Sequence, residues 1–289
     1  MPELDEPLVS VVMPTYGGDR LDYLREAVES VLTQTCRSLE LLVVLDGPVS
    51  ANTRAFLDDV VLRDSRVRIV CLAENTGPAA ARNAAFREAR GAYIALADAD
   101  DVSRPERLER QCRFLQETGA DVAGTFMRYT TPDGRLLATK ETPVEQDQIR
   151  RNAILFSPLN NPTVMAKADV FKDNPYDPSF RTAEDYELWV RLLRQGYMMR
   201  TQPEYLYDFR TPGRFFAKRR GFACFRNDLR ARLGAVKLYP SAIAPILLVA
   251  AVALSALRLL PAPLLGLVYR ARTAIRYLRT GNAKKENPL

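Results

Sequence analysis

The 289-residue sequence contains no histidine, so a histidine metal ligand is excluded. It has only four cysteines, and their spacing is typical neither of a zinc knuckle nor of a disulfide framework. The simplest interpretation is buried thiols in a reducing compartment. The N-terminal stretch Met1–Glu6 is acidic and lacks an apolar core, which predicts that no signal peptide is present and that the folded part stays in the cytoplasm.

The most informative segment that is present is Tyr93–Asp101, in which an apolar run ends in three carboxylates. The run predicts a buried strand. Because like charges this close repel, a divalent cation that carries a diphosphate fits the segment best. On an extended strand, Asp98 and Asp100 would point to the same side. The competing interpretation is a solvated acidic turn that caps a helix beginning near Arg104–Pro105.

Strands and helices are predicted to alternate through the first hundred residues, from apolar runs and from apolar residues at helical spacing. The predicted strands are Leu8–Met13, Leu39–Leu45, Val67–Leu72 and the run before Asp98, and the predicted helices are Leu21–Leu32, Asn52–Leu62 and Pro78–Arg90. This order predicts an α/β fold with a parallel sheet covered on both faces. Such sheets bind ligands at the carboxyl ends of their strands, where the loops after the four strands should converge. These loops contain Thr15, Asp46, Asn75 and Asp98.

Six motifs in order resemble those of family 2 glycosyltransferases with the GT-A fold. The motifs are Val-Ser-Val-Val-Met-Pro-Thr-Tyr, Val-Val-Leu-Asp-Gly, Glu-Asn-Thr-Gly-Pro-Ala-Ala-Ala-Arg-Asn, Asp-Ala-Asp-Asp, Asn160–Met165 and Thr182–Trp189. The resemblance covers about residues 8 to 210. It implies a Rossmann-like, mostly parallel sheet flanked by helices, and an inverting enzyme that moves a sugar from a nucleotide diphosphate donor to an acceptor hydroxyl.

Several loop residues are expected to bind the nucleotide sugar. Pro14, Thr15 and Tyr16 would line the base, although a plain loop is the other interpretation. By resemblance Asp46 recognises the nucleotide, and its alternative role is that of a turn residue before Gly47.

The next loop joins a turn to the start of a helix. Asn75 and Gly77 precede Pro78, so this helix N-terminus suits a phosphate or a ribose. Arg82, one turn further on, would add a positive charge towards the diphosphate, or else lie solvated on the surface.

In the acidic motif the resemblance assigns Asp98 to the ribose and the metal, Asp100 to the metal, and Ala99 to the donor-binding group. The implied cofactor is Mn²⁺ or Mg²⁺, which would neutralise the charge that grows on the departing diphosphate. Asp101 is expected to support the following turn or a neighbouring arginine.

The pair Glu184–Asp185 precedes an apolar helical segment. An inverting transfer needs a carboxylate that takes the proton of the acceptor hydroxyl. By resemblance Asp185 is this base, and Glu184 is the second catalytic candidate. Position alone would favour an acidic pair that complements the helix dipole. Trp189 is expected in the core or the pocket wall.

The chain departs from the family where many relatives carry a histidine after the last core strand. Here the region reads Tyr207–Gly213. We therefore expect that Arg210 or Arg214 binds the diphosphate instead, or that the metal has fewer protein ligands.

Charge divides the chain into two parts. Residues 214–289 contain 15 Lys/Arg and 2 Asp/Glu, whereas residues 1–213 contain 26 and 33. We interpret 1–213 as the catalytic domain, with a nucleotide-sugar half (about 1–101) and an acceptor half (about 102–213). Residues 214–289 would form a basic and apolar helical region that associates with membranes.

The apolar run of this region, 242–257, is continued after Arg258 by 259–269. It is short for a membrane span and is interrupted by prolines, so we expect in-plane helices or a shallow re-entrant hairpin, with the basic flanks on anionic headgroups. The alternative is a buried helical pair that packs on the catalytic domain or on a dimer mate. Because the basic tail is also apolar, nucleic acid is not expected as a partner, while an oligomer stays possible.

Attachment to the cytoplasmic face of the membrane, peripheral or monotopic, favours a lipid-linked glycan as the acceptor. The donor is expected to be a UDP-sugar. Two other enzymes stay open: a polyprenyl-phosphate glycosyltransferase and a sugar nucleotidyltransferase, which would release pyrophosphate. A catalytically dead membrane adaptor with the same fold is a further alternative.

Overall fold

The computed structural model describes residues 7–211, 220–261 and 263–265. Within these ranges a nine-stranded sheet forms the centre of the molecule. Its strands are β1 Val9–Thr15, β2 Leu39–Leu45, β3 Val67–Cys71, β4 Tyr93–Leu96, β5 Val102–Ser103, β6 Val122–Thr130, β7 Leu136–Lys140, β8 Met165–Lys167 and β9 Met199–Arg210. The helices are α1 Leu21–Leu32, α2 Ala51–Arg63, α3 Pro78–Glu88, α4 Arg107–Thr118, α5 Gln146–Asn152, α6 Ala168–Asp173, α7 Glu184–Gln195, α8 Phe222–Val236 and α9 Ala244–Ala256.

The strand order is β3-β2-β1-β4-β8-β6-β9-β5, with β7 paired to β6. The first four strands pair in parallel, as predicted from the strand–helix alternation. Beyond β4 the sheet is mixed, because β8 runs antiparallel to both β4 and β6, whereas β6 and β9 are parallel. One sheet thus has a parallel part, formed by the first hundred residues, and a mixed part, in which parallel and antiparallel pairs both occur.

The sheet is covered on both faces, and successive residues of its buried strands belong to different cores. Val11 and Met13 of β1 pack in the core that includes α1, α2 and α4, whereas Val12 packs in the core that includes α3, α6, α7 and α8. This alternation follows from the two-residue period of a strand, and it explains why these strands are apolar along their whole length. Trp189 of α7 is fully buried, as expected.

Two local predictions require correction. The helix after the acidic motif begins at Arg107 rather than near Arg104–Pro105. The cysteines form no disulfide, and three of them are buried, but Cys71 is exposed because β3 is the edge strand of the parallel half and ends there.

The C-terminal segment forms a helical hairpin that packs against α7. Ala231 and Ala235 of α8 belong to the same core as α7, and a β-carbon at Gly234 would lie 3.3 Å from Val190 Cγ1. The backbone nitrogen of Gly221, before α8, donates to the carbonyl of Arg258, after α9, at 2.8 Å, so the two helices run antiparallel. The boundary between 213 and 214 stays a prediction.

The helical stretch Ser241–Leu259 has 19 residues and a mean hydropathy of 2.2, which is long and apolar enough to cross a membrane by length and composition alone. Only 11% of its most apolar window is buried in the protein. Its outward side chains include Ile246 and Val249, which are 71% and 72% exposed. Basic residues are predicted to flank the apolar run on both sides. Among them, Lys218, Arg219 and the arginines of 270–279 lie outside the described residues.

Candidate functional site

The loop after β2 holds the loop after β3 through one carboxylate. Asp46 Oδ1 accepts hydrogen bonds from the Thr76 nitrogen (2.7 Å) and hydroxyl (3.1 Å), and its Oδ2 accepts one from the Gly77 nitrogen at 2.9 Å. The Asn75 side chain donates to the Asp46 carbonyl at 3.3 Å. Asp46 thus positions the segment that begins α3, and its contact with a nucleotide stays a prediction.

Two glycines allow the loops to approach this closely. A β-carbon at Gly17 would lie 2.8 Å from the carbonyl oxygen of Pro48. Gly47 has a φ of +84°, and a β-carbon there would lie 2.6 Å from the backbone nitrogen of Asn75. The loops after β1, β2 and β3 therefore converge at one edge of the sheet, as predicted.

The segment proposed to line the base lies at the end of β1. Pro14 is partly buried, Thr15 is buried, and Tyr16 is 41% exposed. Asp19 organises the turn, since its Oδ2 accepts from the Thr15 hydroxyl at 3.0 Å and from the Tyr16 nitrogen at 3.1 Å. The exposed Tyr16 ring is free of the core and suits stacking on a planar group.

The acidic motif lies in a turn, not on a strand. β4 ends at Leu96, and the Asp101 nitrogen donates to the Asp98 carbonyl at 3.3 Å. The expectation that Asp98 and Asp100 share one side of an extended strand does not apply, because the chain turns at Ala99 and Asp100. The Ala99 side chain packs in the apolar core, so only its backbone can contact a donor.

Negative charge accumulates around Asp100. Burial raises the pKa of Asp100 to about 6, and the nearby charges of Asp98 and Asp19 add to this rise, while Arg210 opposes it. A bound divalent cation would relieve this repulsion. Carboxylate oxygens are also the ligands that Mg²⁺ and Mn²⁺ prefer, so the residues present fit the predicted metal.

No group of three or more Asp, Glu, His or Cys residues that could hold a metal occurs in the described ranges. A cation held here by one or two carboxylates would need its other ligands from phosphate and water.

Two residues of β9, Tyr207 and Arg210, form hydrogen bonds with the acidic turn. The Tyr207 hydroxyl accepts a hydrogen bond from the Asp98 nitrogen at 3.0 Å. The guanidinium of the buried Arg107 lies 4.9 Å from the Tyr207 ring centroid. Asp101 Oδ1 accepts from the Arg210 nitrogen at 2.7 Å, so it supports the turn, as expected.

Arg210, proposed as a diphosphate ligand, is buried beside the acidic turn. Its guanidinium donates to the Asp100 carbonyl at 2.9 Å, pairs with Glu26 and lies 4.1 Å from the Tyr23 ring centroid. Because these contacts already engage it, a diphosphate contact stays a prediction. Arg214 lies outside the described residues.

Arg82 connects the two acidic motifs. Its Nη2 donates to Asp98 Oδ1 at 2.8 Å, and its Nη1 lies 3.7 Å from Glu184 Oε1. Burial alone would lower the pKa of Arg82, but the charges of Asp98 and Glu184, together with Tyr176, raise it above the ordinary value. Arg82 is therefore not a solvated surface residue. Its Nε and Nη1 are buried and form no hydrogen bond with the described residues, a state that a bound anion would relieve.

The predicted catalytic pair occupies the first turn of α7. Asp185 Oδ1 accepts from the Tyr186 nitrogen at 2.8 Å. Burial raises the pKa of Glu184 to about 7, with Asp185 adding to the rise and Arg82 opposing it. Ala183, which caps the helix, has φ 60° and is the only non-glycine residue with positive φ in the described ranges. Such backbone strain is concentrated at functional sites.

Tyr176 is a site residue that the sequence did not indicate. It is buried, and its ring lies 5.6 Å from the Arg82 guanidinium. Burial raises its pKa, and the charges of Asp185, Glu184 and Asp98 add to this rise, while Arg82 opposes it. Its hydroxyl donates to Asn161 at 2.8 Å, and its backbone exchanges two hydrogen bonds with Asn83.

The structure thus brings the predicted residues to one edge of the sheet. Asp46 holds the start of α3, Arg82 on that helix reaches both acidic motifs, and Asp100 follows Asp98. Tyr176, Tyr207 and Asp19 complete the arrangement without being predicted. Of these three residues, only Tyr207 lies in a segment that the sequence analysis singled out, because Tyr207–Gly213 departs from the family pattern.

The structure is an α/β fold in which the loops predicted to bind the donor converge at one edge of the sheet. The carboxylate pair Glu184–Asp185 is connected to this edge through Arg82. The sequence pattern of the family described as Glycosyl transferase family 2 matches residues 10–174. The chain therefore belongs to glycosyl transferase family 2. It is a glycosyltransferase.

Comparisons with other proteins agree with this assignment. TuaG of Bacillus subtilis, provisionally named a teichuronic acid biosynthesis glycosyltransferase, is 31% identical over 71% of this chain and 79% of its own. The structure of S. aureus TarS 1–349 with UDP-GlcNAc matches with a TM-score of 0.65 and 21% identity, over 83% of this chain and 70% of that one. The mannosyltransferase PcManGT from Pyrobaculum calidifontis, in complex with GDP-Man and Mn²⁺, has a TM-score of 0.61 and 17% identity, over 94% of this chain and 81% of that one. The two structures show the shared fold.

Proposed function

We propose that this glycosyltransferase is inverting and that Asp185 is its base. The acceptor hydroxyl would attack the anomeric carbon of the sugar while Asp185 takes its proton. The bond from that carbon to the diphosphate oxygen breaks, and the nucleoside diphosphate leaves with the electron pair. The observation that supports this proposal best is the Arg82 contact with both Asp98 and Glu184, which joins the donor motif to the catalytic pair.

The donor residues follow from the same edge of the sheet. Thr15, Tyr16 and Asp46 would hold the nucleoside, while the start of α3 and Arg82 would face the diphosphate. A helix N-terminus and a buried guanidinium with unused donors both favour a negatively charged group. We favour UDP as the nucleotide, a choice that the UDP-GlcNAc complex of TarS supports.

A divalent cation would be held by Asp100 and Asp98. When bound, Mn²⁺ or Mg²⁺ would neutralise charge on the departing diphosphate. The accumulation of carboxylates around Asp100 supports this assignment, as does the Mn²⁺ in the complex of PcManGT.

The acceptor would be a lipid-linked glycan at the cytoplasmic face of the membrane. The basic C-terminal region and the exposed apolar side chains of α9 support this placement. So does the provisional name of TuaG, which places that relative in teichuronic acid biosynthesis.

The test is a panel of UDP-, GDP- and dTDP-sugars with a membrane lipid extract, in which nucleoside diphosphate release is measured. We expect turnover with a UDP-sugar, loss of turnover with EDTA, and recovery on addition of Mn²⁺ or Mg²⁺. Asp185→Asn should lower kcat by roughly 10²- to 10⁴-fold, the typical contribution of a general base, while the affinity for UDP stays unchanged. Full activity of Asp185→Asn would contradict the proposed base and favour an acceptor that is already ionised, such as a polyprenyl phosphate. Release of pyrophosphate would indicate a nucleotidyltransferase.

A further inference from the structure

Helix α8 contacts the turn that leads into the catalytic pair. Asn227 is 1% exposed, and its Nδ2 donates to the Thr182 hydroxyl at 3.2 Å. Thr182 immediately precedes Ala183, the residue with positive φ that caps the start of α7. The contact therefore lies three residues from the proposed base.

A second side chain of α8 reaches the same segment. The guanidinium of Arg230 lies 4.1 Å from the Phe180 ring centroid and donates to the Ser179 hydroxyl at 3.3 Å. Ala183 itself offers no side-chain oxygen for a cap, and none caps α7. The turn thus depends on α8 for polar support, which a serine, threonine or aspartate at a helix start would otherwise provide.

The next residue of α8 is also buried and binds α9 and the segment that follows it. Asp228 Oδ2 accepts from Ser255 at 2.8 Å, and its Oδ1 accepts from Arg258 at 3.0 Å. Asn227 and Asp228 therefore connect the apolar C-terminal helix to the catalytic turn through two adjacent positions.

We propose that the C-terminal hairpin is part of the catalytic apparatus and that Asn227 is a positioning residue, which holds the Thr182–Ala183 turn so that Asp185 faces the acceptor hydroxyl. This inference rests on the proposed role of Asp185. It gives the hairpin a role in positioning Asp185, in addition to the proposed attachment to a membrane. A strained turn keeps its conformation only when its surroundings over-determine it. The Asn227–Thr182 hydrogen bond supplies that restraint.

The proposal predicts a specific kinetic change in two variants of nearly unchanged shape, Asn227→Leu and Thr182→Val. Each should lower kcat roughly tenfold, which corresponds to the loss of about 1.4 kcal/mol. The KM for the donor should stay within about twofold, because the donor edge does not contain either residue. The double variant should be no slower than the slower single variant, since both remove the same hydrogen bond.

A matched control is Thr142→Val, because Thr142 is a buried threonine whose hydroxyl bonds that of Thr201 at 3.2 Å, away from the Thr182–Ala183 turn. It should lose stability comparable to that lost by Thr182→Val, with kcat unchanged. Equal kcat losses in both threonine variants would mean that Asn227 has a structural role only.

Hydrogen–deuterium exchange gives a readout that does not require turnover. In Asn227→Leu, amides of residues 183–187 should exchange faster, while those of β1 stay protected. Unchanged exchange at 183–187 would overturn the inference. Asp185→Asn, assayed beside these variants, separates the two proposals. If it is inactive while Asn227→Leu keeps full kcat, only the positioning role fails, and if it is fully active, the proposed base fails.

Discussion

At the scale of single residues, Tyr207 shows how a chain without histidine holds its acidic turn. Its hydroxyl accepts a hydrogen bond from the backbone nitrogen of Asp98 at 3.0 Å. Removing the hydroxyl leaves that nitrogen without its partner, at a cost of about 1 kcal/mol. For Tyr207→Phe we expect the Mn²⁺ concentration at half-maximal activity to rise roughly fivefold, as measured by metal titration.

Tyr205→Phe is the matched control for this prediction. Tyr205 lies on the same strand, and its hydroxyl donates to Glu141 at 2.6 Å, away from the acidic turn. Its removal should leave the metal titration unchanged. The same shift in both variants would assign the effect to the strand and not to the turn.

The residue scale is also where prediction from sequence was weakest. The motifs predicted Asp98, Arg82 and Glu184 as separate features, but not the guanidinium that joins them. Tyr207 lies 109 positions from Asp98, and no pattern of period two or 3.6 relates positions so far apart. Tyr176 likewise gave no signal, because its neighbours Arg82, on α3, and Asn161 are distant from it in the sequence.

At the scale of elements, the local patterns sufficed. The predicted α1 and β2 match the structure residue by residue, because apolar periodicity within one element reflects the face that it buries. The strand before Asp98 was predicted and ends at Leu96, but the apolar run could not decide between a cation-binding segment and an acidic turn. Pairing beyond β4 could not be predicted either, since β8 has only three residues and its direction depends on long-range contacts.

The hairpin of α8 and α9 depends on one buried carboxylate. Although burial alone would raise it, Arg232 and Arg258 hold the pKa of Asp228 below its ordinary value of 3.8. A lowered folded-state pKa gives stabilisation that is present above the unfolded value and lost as the pH falls through the folded value. In Asp228→Asn, two arginines lose their counter-charge, so we expect a loss of about 3 kcal/mol in the free energy of unfolding at pH 7.

Urea unfolding between pH 2 and 7 checks this prediction. The difference between wild type and Asp228→Asn should shrink as the pH falls below 3.8. Asp64→Asn is the control, because Asp64 pairs with Arg66 near the surface and its loss should cost less than about 1 kcal/mol. A difference for Asp228→Asn that does not vary with pH would contradict the assigned pKa shift.

At the scale of the whole molecule, the apolar face of α9 carries little charge. Arg258, which interrupts the apolar run in the sequence, bonds the buried Asp228. The outer face thus presents Ile246, Val249 and Val252. The adjoining helix, α8, carries exposed arginines, among them Arg226 and Arg230. Because α9 itself is apolar on all sides, it favours burial in a lipid or protein surface, and the nearby arginines favour anionic lipid headgroups.

We therefore expect the protein to bind vesicles that contain phosphatidylglycerol more tightly than vesicles of phosphatidylcholine alone. Ile246→Glu combined with Val249→Glu should lower vesicle binding at least tenfold in a sedimentation assay, because both carboxylates would enter the bilayer surface. Val61→Glu with Leu62→Glu adds the same charge to an exposed apolar site on α2 and should bind as the wild type does. If the α9 variant binds vesicles normally but no longer self-associates, the face is an interface between two copies.

The glycine at position 47 sets a practical limit on redesign of this enzyme. The space that a side chain would need there is filled by the backbone of Asn75, and the φ of +84° disfavours any other amino acid. A mutant library intended to diversify nucleotide preference should therefore keep Gly47 fixed. Variation belongs at Tyr16, which is 41% exposed and where a new side chain can extend into solvent.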